Sequence, residues 1–391
     1  MFMKKTTLNS IFSEYGSAYI KEHNPDFYSQ KVIRAISDCR TEALGGHIQK
    51  CDSCGHEIIL YNSCRNRHCP QCQFIKKEQW VEKKKSDVLP FQYFHTVFTI
   101  PEELNPIVVR NKELVYKLMF DATKETLLTI AEDDKYFGAK IGFFSILHTW
   151  GQKLNLHPHI HTVVPGGGFI ESKKKWISAP ANYLVPVKVV MPRFRSIFLT
   201  KLKQLRNEKK LNLKNTDFDS VKGFQGLINK LFEKDWVVYI KESFKNSDSV
   251  IEYLSKYTHR IAISNYRIVS CADGIVSFKY RDYVDDNKEK VMKLPVLKFI
   301  KRFITHIVPK RFVRIRYYGL LCNSTAKNRI NDCREYYNLE KKKYQKNTWH
   351  ELYALISGND PNLCSCCSNG NLKSYGFIGN KAREGPSCIN S

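Results

Sequence analysis

Apolar residues in this chain follow two different spacings, and the change of spacing outlines the elements. Helical spacing covers Leu8 to Arg40 and returns at Pro106 to Leu128. Short runs rich in β-branched and aromatic residues predict strands between and after these stretches. The predicted strands are residues 93–100, 142–149 and 159–164. The middle of the chain is therefore expected to alternate strands with helices.

The last third of the chain changes again from strands to helix. Residues 266–269 and 275–280 have the composition of strands, and a basic helical stretch covers 294–307. A polar segment rich in Gly, Ser and Asn follows Gly358. We expect an N-terminal helix with a Cys-rich domain, a central core, a basic C-terminal part and a poorly ordered polar tail, at residues 1–88, 89–265, 266–357 and 358–391.

Composition narrows the class of protein. A chain of 391 residues, 42% hydrophobic and 13% aromatic, has the length for two or three domains and is not a disordered polycation. Its 63 Lys and Arg against 38 Asp and Glu give a net charge of +25, which favours a nucleic-acid partner over a basic surface kept for solubility.

No apolar stretch has the length of a membrane span, and the first residues lack a signal peptide's apolar core. We expect a soluble, cytoplasmic protein that does not bind membranes.

The 13 cysteines are then expected to be mostly reduced, so clustered ones predict metal ligands. Cys51 and Cys54 form one Cys-x-x-Cys pair, and Cys69 and Cys72 form another. Four thiolates complete a closed tetrahedral site, so we predict one structural Zn²⁺ held by these four residues. Cys64 and His68 are further candidates for the fourth ligand.

Basic residues surround these pairs. Arg65, Arg67 and the pair Lys76-Lys77 lie close in sequence, so the zinc-binding segment is expected to contact phosphates. A second group, Cys364, Cys366 and Cys367, is either half of a metal site or of no significance, and we expect no function for it.

Two histidines flank one apolar residue at His159-Ile160-His161. Side chains alternate along a strand, so both imidazoles should lie on one face while Ile160 enters the core. The preceding strand and a turn at 151–155 form a hairpin that would bring His148 close as a third ligand, with Gln152 and His157 as alternatives. Three ligands leave room for a phosphate oxygen, so Mg²⁺ or Mn²⁺ is inferred from that chemistry, although imidazoles also suit zinc. The following Gly166-Gly167-Gly168 allows close backbone approach, which could be that of DNA.

A pair of tyrosines follows about ninety residues later. In a helix, Tyr253 and Tyr257 lie one turn apart on one face, with Lys256 and Arg260 beside them. A tyrosine hydroxyl can attack a metal-polarised phosphodiester. Periodicity alone favours core packing, because the chain has 21 tyrosines and aromatic pairs at this spacing usually pack in a core.

Taken together, these motifs resemble the insertion sequence 91 family, rolling-circle transposases of the His-hydrophobic-His nuclease superfamily. The resemblance covers most of the chain, in blocks at residues 39–47, 61–72, 157–161, 164–168 and 253–260. It implies that His159 and His161 bind the catalytic metal and that Tyr253 and Tyr257 are nucleophiles. It also implies an α+β fold, in which an antiparallel sheet flanked by helices follows an N-terminal zinc ribbon-like module.

The function implied is that of a bacterial transposase that nicks and rejoins single-stranded DNA at element ends and target through a 5′-phosphotyrosine. Lys256, Arg260, Arg65 and Arg67 are the expected DNA contacts, and the nucleoid is the expected location. A plasmid rolling-circle replication initiator has the same chemistry, but the Cys-rich block argues against it. A non-catalytic zinc DNA-binding regulator is the other alternative.

Overall fold

The computed structural model describes residues 6–85, 88, 92–179, 185–244, 249–250, 262–322, 326–340 and 347–380. The α-helices in this part are α1 (Leu8–His23), α2 (Phe27–Ser37), α3 (Pro70–Lys85), α4 (Asn105–Arg110), α5 (Lys112–Glu132), α6 (Val187–Asn207), α7 (Val221–Glu233), α8 (Val296–Thr305), α9 (Ala326–Tyr336) and α10 (Trp349–Ser357). The strands are β1 (Gly46–Cys51), β2 (Glu57–Tyr61), β3 (Tyr93–Thr99), β4 (Gly142–Trp150), β5 (Leu156–Pro165), β6 (Gly167–Ile170), β7 (Lys175–Ser178), β8 (Val238–Phe244), β9 (Ile268–Ala272), β10 (Ile275–Asp282), β11 (Lys288–Pro295), β12 (Ile315–Gly319) and β13 (Leu372–Ile378).

The chain divides into two compact units, each assembled from separate stretches of sequence. The first unit comprises Met1–Lys83, His259–Ile307 and Gln345–Ser391, and the second comprises Lys84–Thr258 and Val308–Tyr344. The consecutive division expected from the sequence is therefore not how the chain packs. Composition changes along the chain, but it does not indicate which distant segments pack together.

A five-stranded antiparallel sheet forms the centre of the second unit, in the order β12-β4-β5-β3-β8. Its buried face packs against helices α5 and α6 through a single apolar core. Alternate residues of β3 and β5, such as Phe94, Phe98, Ile160 and Val164, enter that core, as period-two side-chain direction requires. The predicted α+β class with an antiparallel sheet flanked by helices is confirmed.

The first unit contains two smaller antiparallel sheets. One is the meander β9-β10-β11, which leads into the amphipathic helix α8. Helix α8 packs against α1, where Phe303 meets Phe12 edge to face with ring centroids 5.2 Å apart. The other sheet has the order β13-β1-β2, so the last strand of the described chain pairs with the first one.

Strand β13 contradicts the expectation of a poorly ordered polar tail. Leu372–Ile378 pairs with β1 over its whole length, with a register shift between Ile48 and Gln49. The overall composition of the tail was misleading because its polar residues lie mainly before and after this strand, whereas the strand itself contains Leu372, Tyr375, Phe377 and Ile378. Residues 381–391 lie outside the described part of the chain.

None of the helices in the described ranges is both long and apolar enough to cross a membrane.

Candidate functional site

The histidine run lies on the second strand of a β-hairpin in the second unit. Strands β4 and β5 pair antiparallel, and Gly151 N–H donates to the Asn155 carbonyl at 3.0 Å to close the turn. In this register His148 lies directly opposite His159. The hairpin predicted from the sequence is therefore present, and it brings His148 to the histidine run.

Three imidazoles converge on one face of the sheet. The metal-binding nitrogens of His148, His159 and His161 lie within 4.8 Å of one another. His148 and His161 are buried, and His159 is partly exposed. Ile160, between the two strand histidines, is fully buried in the core on the opposite face. Because side chains alternate along the strand, His159 and His161 face the histidine cluster while Ile160 packs in the core.

Hydrogen bonds orient two of these rings. His159 Nδ1–H donates to the His157 carbonyl at 2.6 Å, which leaves Nε2 with its lone pair. His161 Nδ1 lies 2.8 Å from His95 Nε2. With His161 Nδ1–H as the donor in this contact, the ring lone pair of His161 lies on Nε2. Such outer contacts commonly fix the tautomer of a metal-binding histidine.

Burial favours the neutral form of the His159 and His95 imidazoles. It lowers the pKa of His159 to about 4 and that of His95 to about 3, with nearby Lys241 as a second cause for His95. Neutral imidazole is the form that binds metals. Three converging histidine nitrogens, with the neutral form favoured at His159, therefore fit a divalent cation.

His95 was not among the residues predicted from the sequence. His95 lies on β3 and is directly opposite Val163 on β5. Its diagonal neighbour across the strand pair is His161. Lys241 on β8 is directly opposite His95. The run 93–100 predicted a strand, but only the register of β3 against β5 could have indicated this contact.

The cluster does not include His157. His157 is exposed and contributes its backbone carbonyl, and Gln152 lies in the hairpin turn. Tyr253, Lys256, Tyr257 and Arg260 lie outside the described residues.

The glycines after the histidine strand are enclosed by protein. A Cβ at Gly167, where φ is +152°, would lie 2.2 Å from the Ile177 carbonyl oxygen and 2.7 Å from the Trp176 ring. At Gly168 it would lie 2.9 Å from Ala139 Cβ. These glycines permit close packing of the protein's own strands, and this packing accounts for them without an approach of DNA.

The cysteines form two clusters in the first unit. Cys69 and Cys72 meet Cys39 and Cys64, with Sγ–Sγ distances of 3.5 Å for Cys39–Cys72 and Cys64–Cys72 and 3.6 Å for Cys39–Cys69. Cys51 and Cys54 instead meet Cys364 and Cys367. The predicted single site of Cys51, Cys54, Cys69 and Cys72 is therefore not formed. Spacing identified the two pairs but could not indicate that each would find another partner.

The first cluster already favours a thiolate. Hydrogen bonds from the thiols of Cys39, Cys64 and Cys69 hold the pKa of Cys72 well below its usual range. The backbone N–H groups of Cys64 and Asn66 donate to the sulfurs of Cys39 and Cys64, each at 3.4 Å. His68, the other spare candidate, is buried edge-on to Tyr28 outside the cluster. Four converging sulfurs with backbone donors fit a closed zinc site.

The two arginines of this segment differ in exposure. Arg65 is exposed and has a positive φ of 53°, whereas Arg67 is half-buried and burial lowers the pKa of its guanidinium. Arg65 is thus the more accessible to a phosphate.

The histidine cluster on an antiparallel sheet, the cysteine-rich module and the net charge of +25 are together typical of a nucleic-acid-processing protein, and comparisons with known proteins specify the class. Residues 11–100 match the family model described as "Transposase zinc-binding domain", and residues 142–329 match that described as "Putative transposase". A protein of Sinorhizobium fredii (strain NBRC 101917 / NGR234), "Putative transposase y4qJ", is 41% identical over 369 residues, which cover 93% of each chain.

A second relative is the "Transposase for insertion sequence element IS801" of Pseudomonas savastanoi pv. phaseolicola. It is 28% identical over 309 residues, which cover 75% of this chain and 70% of that protein. No solved structure matches. The chain belongs to the insertion sequence 91 family of transposases, as its motifs indicate, and is a DNA-processing enzyme with a zinc-binding domain.

Proposed function

We propose that this transposase nicks and rejoins single-stranded DNA by tyrosine attack beside a divalent cation held by His148, His159 and His161. The observation that carries the proposal is the convergence of the imidazoles of His148, His159 and His161, whose metal-binding nitrogens lie within 4.8 Å of one another. A bound Mg²⁺ or Mn²⁺ would neutralise charge at the scissile phosphate and polarise it. Three protein ligands leave positions open for the phosphate oxygens.

In the proposed step, the hydroxyl oxygen of Tyr253 or Tyr257 attacks the phosphorus. A bond forms between this oxygen and phosphorus, and the bond from phosphorus to the 3′ oxygen breaks. The phenolic proton passes to solvent and the leaving 3′ oxygen takes one up, so the products are a 5′-phosphotyrosine and a free 3′-OH. The covalent link retains the phosphodiester energy for rejoining. The second tyrosine would carry the target strand or end the cycle.

The basic residues would hold the DNA backbone. Lys256 and Arg260, close in sequence to the tyrosines, would bind phosphates near the point of attack. Arg65 and Arg67 would contact phosphates from the zinc-binding domain, and the exposure of Arg65 supports this role. The net charge of +25 is consistent with a location on the nucleoid.

For the structural zinc of the domain at residues 11–100, we propose the cluster of Cys39, Cys64, Cys69 and Cys72. All four residues lie within the matched range, and their sulfurs converge with backbone donors around them. Four protein thiolates close the coordination sphere, so this metal would hold the fold and take no part in cleavage.

The test is capture of a covalent adduct. Labelled single-stranded DNA that spans each end of the element encoding this chain is incubated with the full-length protein and Mn²⁺, and denaturing gels reveal the adduct. We expect an adduct with the wild type and none with Tyr253→Phe plus Tyr257→Phe, because phenylalanine has no hydroxyl to attack phosphorus. His159→Ala plus His161→Ala should also give none, while DNA affinity measured by fluorescence anisotropy is retained.

The matched control is His157→Ala, which removes a neighbouring imidazole but keeps the carbonyl that orients His159. It should form the adduct as the wild type does. An adduct that persists in the double phenylalanine variant, or its absence from the wild type, would refute the tyrosine mechanism. Loss of DNA binding in the histidine variant would instead assign those histidines a structural role.

A further inference from the structure

A second group of four cysteines joins parts of the chain that are more than 300 residues apart. Cys51 ends β1 and Cys54 lies in the turn that follows, whereas Cys364 and Cys367 come from the segment that leads into β13. The matched zinc-binding region at residues 11–100 contains only the first pair. The second pair is therefore a feature that the family comparison does not account for.

The sulfurs have the spacing of a tetrahedral metal site. Cys51 Sγ lies 3.7 Å from Cys367 Sγ, and Cys54 Sγ lies 3.8 Å from Cys364 Sγ. All four lie within 4.8 Å of one another. Zinc–sulfur bonds of about 2.3 Å in a tetrahedron place the sulfurs about 3.8 Å apart. The two measured Sγ–Sγ distances therefore match the spacing of a zinc site.

Both cysteine pairs form turns that direct backbone N–H groups at sulfur. Cys51 Sγ accepts from the N–H groups of Ser53 and Cys54, each at 3.4 Å. In the other turn, Cys364 Sγ accepts from Cys366 N–H at 3.4 Å. Cys367 Sγ accepts from Gly370 N–H at 3.3 Å. Such bonds stabilise negative charge on sulfur, which a thiolate bound to a metal retains.

The two turns also fit closely against each other. Asp52 N–H donates to the Asn371 carbonyl at 3.0 Å, and Asn371 N–H donates to Asp52 Oδ1 at 2.8 Å. A Cβ at Gly370 would lie 2.5 Å from both Cys51 Sγ and Ser53 Cβ, so only glycine fits there. The pair Cys51–Leu372 then begins the ladder between β1 and β13. The cluster thus lies at the point where the last described strand joins the sheet.

We propose that Cys51, Cys54, Cys364 and Cys367 bind a second structural Zn²⁺ that fastens β13 to β1. Binding replaces the four thiol protons, which pass to solvent, and leaves four thiolates on the metal. Four thiolates suit zinc among the divalent cations and leave no open position for a substrate. The site does not depend on the DNA chemistry proposed above.

The first test uses the wild-type full-length chain, so no variant has to fold. The protein is loaded with cadmium-113 in place of zinc and examined by NMR, where cadmium bound by four thiolates resonates far from cadmium bound by imidazoles. We expect two tetrathiolate resonances, one from each cysteine cluster. A single tetrathiolate resonance at saturating cadmium would overturn the proposal.

The second test assigns the site. Cys364→Ser plus Cys367→Ser should lose one of the two tetrathiolate resonances, whereas the matched control Cys366→Ser, an exposed cysteine between the two ligands, should keep both. By hydrogen exchange of the zinc-loaded chains, the double variant should lose protection of amides in β13. Amides of β2, which pair with the other edge of β1, should stay protected. Retention of both resonances in the double variant would refute the assignment.

Discussion

At the scale of single residues, the contacts of the histidine cluster determine which ring nitrogen each imidazole can offer to a metal. His159 and His161 present nitrogens to one point because a strand places alternate residues on one face. Which nitrogen each presents depends on contacts that the motif does not contain, a backbone carbonyl for His159 and His95 for His161. We therefore predict that His95 positions His161 in the proposed metal site.

Replacement of His95 tests this role. His95→Ala should weaken Mn²⁺ binding about 10–100-fold, measured by isothermal titration calorimetry, because His161 loses the partner that fixes its tautomer. His95→Gln should recover part of the affinity, since its amide oxygen can accept from His161 Nδ1–H. His157→Ala serves as the control and should bind as the wild type does. Unchanged affinity in His95→Ala would contradict the role.

At the scale of elements, local patterns were sufficient wherever partners are close in sequence. The hairpin of β4 and β5 needed only two strand runs and a short turn, and it brought His148 to its place opposite His159. Helix α8 was also predictable, because its buried residues Val296, Phe299, Ile300, Phe303 and Ile304 follow the i, i+3, i+4 spacing of an amphipathic helix. The sequence did not indicate that α8 packs against α1.

Helix α8 supplies a prediction about stability. Phe303→Ala should lower the free energy of unfolding by about 3–5 kcal/mol, because it empties a fully buried site against Phe12. Lys301→Ala, an exposed position on the same helix, should change it by no more than about 0.5 kcal/mol. Urea denaturation followed by circular dichroism measures both. Equal effects of the two substitutions would show that α8 does not contribute this packing.

At the scale of the whole molecule, charge is the property that the chain's composition fixes most directly. An excess of 25 positive charges repels itself in the free protein and attracts a polyanion at a distance. Because DNA is the substrate of a transposase, we expect much of its affinity to come from phosphate contacts and released counterions.

This expectation predicts a strong dependence on salt. For single-stranded DNA, each contacted phosphate should contribute about −0.7 to the slope of log affinity against log salt concentration. About six such contacts would lower the affinity for DNA about 10²–10³-fold between about 50 and 200 mM salt. Arg65→Ala should reduce the magnitude of the slope by about 0.7 if that exposed side chain binds a phosphate. Fluorescence anisotropy at several salt concentrations measures both. A slope near zero for the wild type would contradict binding driven by charge.

The sequence by itself determined the alternation of strands and helices, the excess of positive charge, the histidine hairpin and the presence of Cys-x-x-Cys pairs. All of these depend on residues near one another in the chain or on composition. The family followed from the order of the motifs.

Only the tertiary structure decided which cysteines meet, that β13 closes the sheet of β1, and that His95 contacts His161. The physical reason is the same in each case. A Cys-x-x-Cys turn can supply half of a tetrahedral site to any other pair, and a strand edge can pair with any free strand. The choice is made by the packing of segments that lie from 30 to more than 300 residues apart, and no local spacing records it.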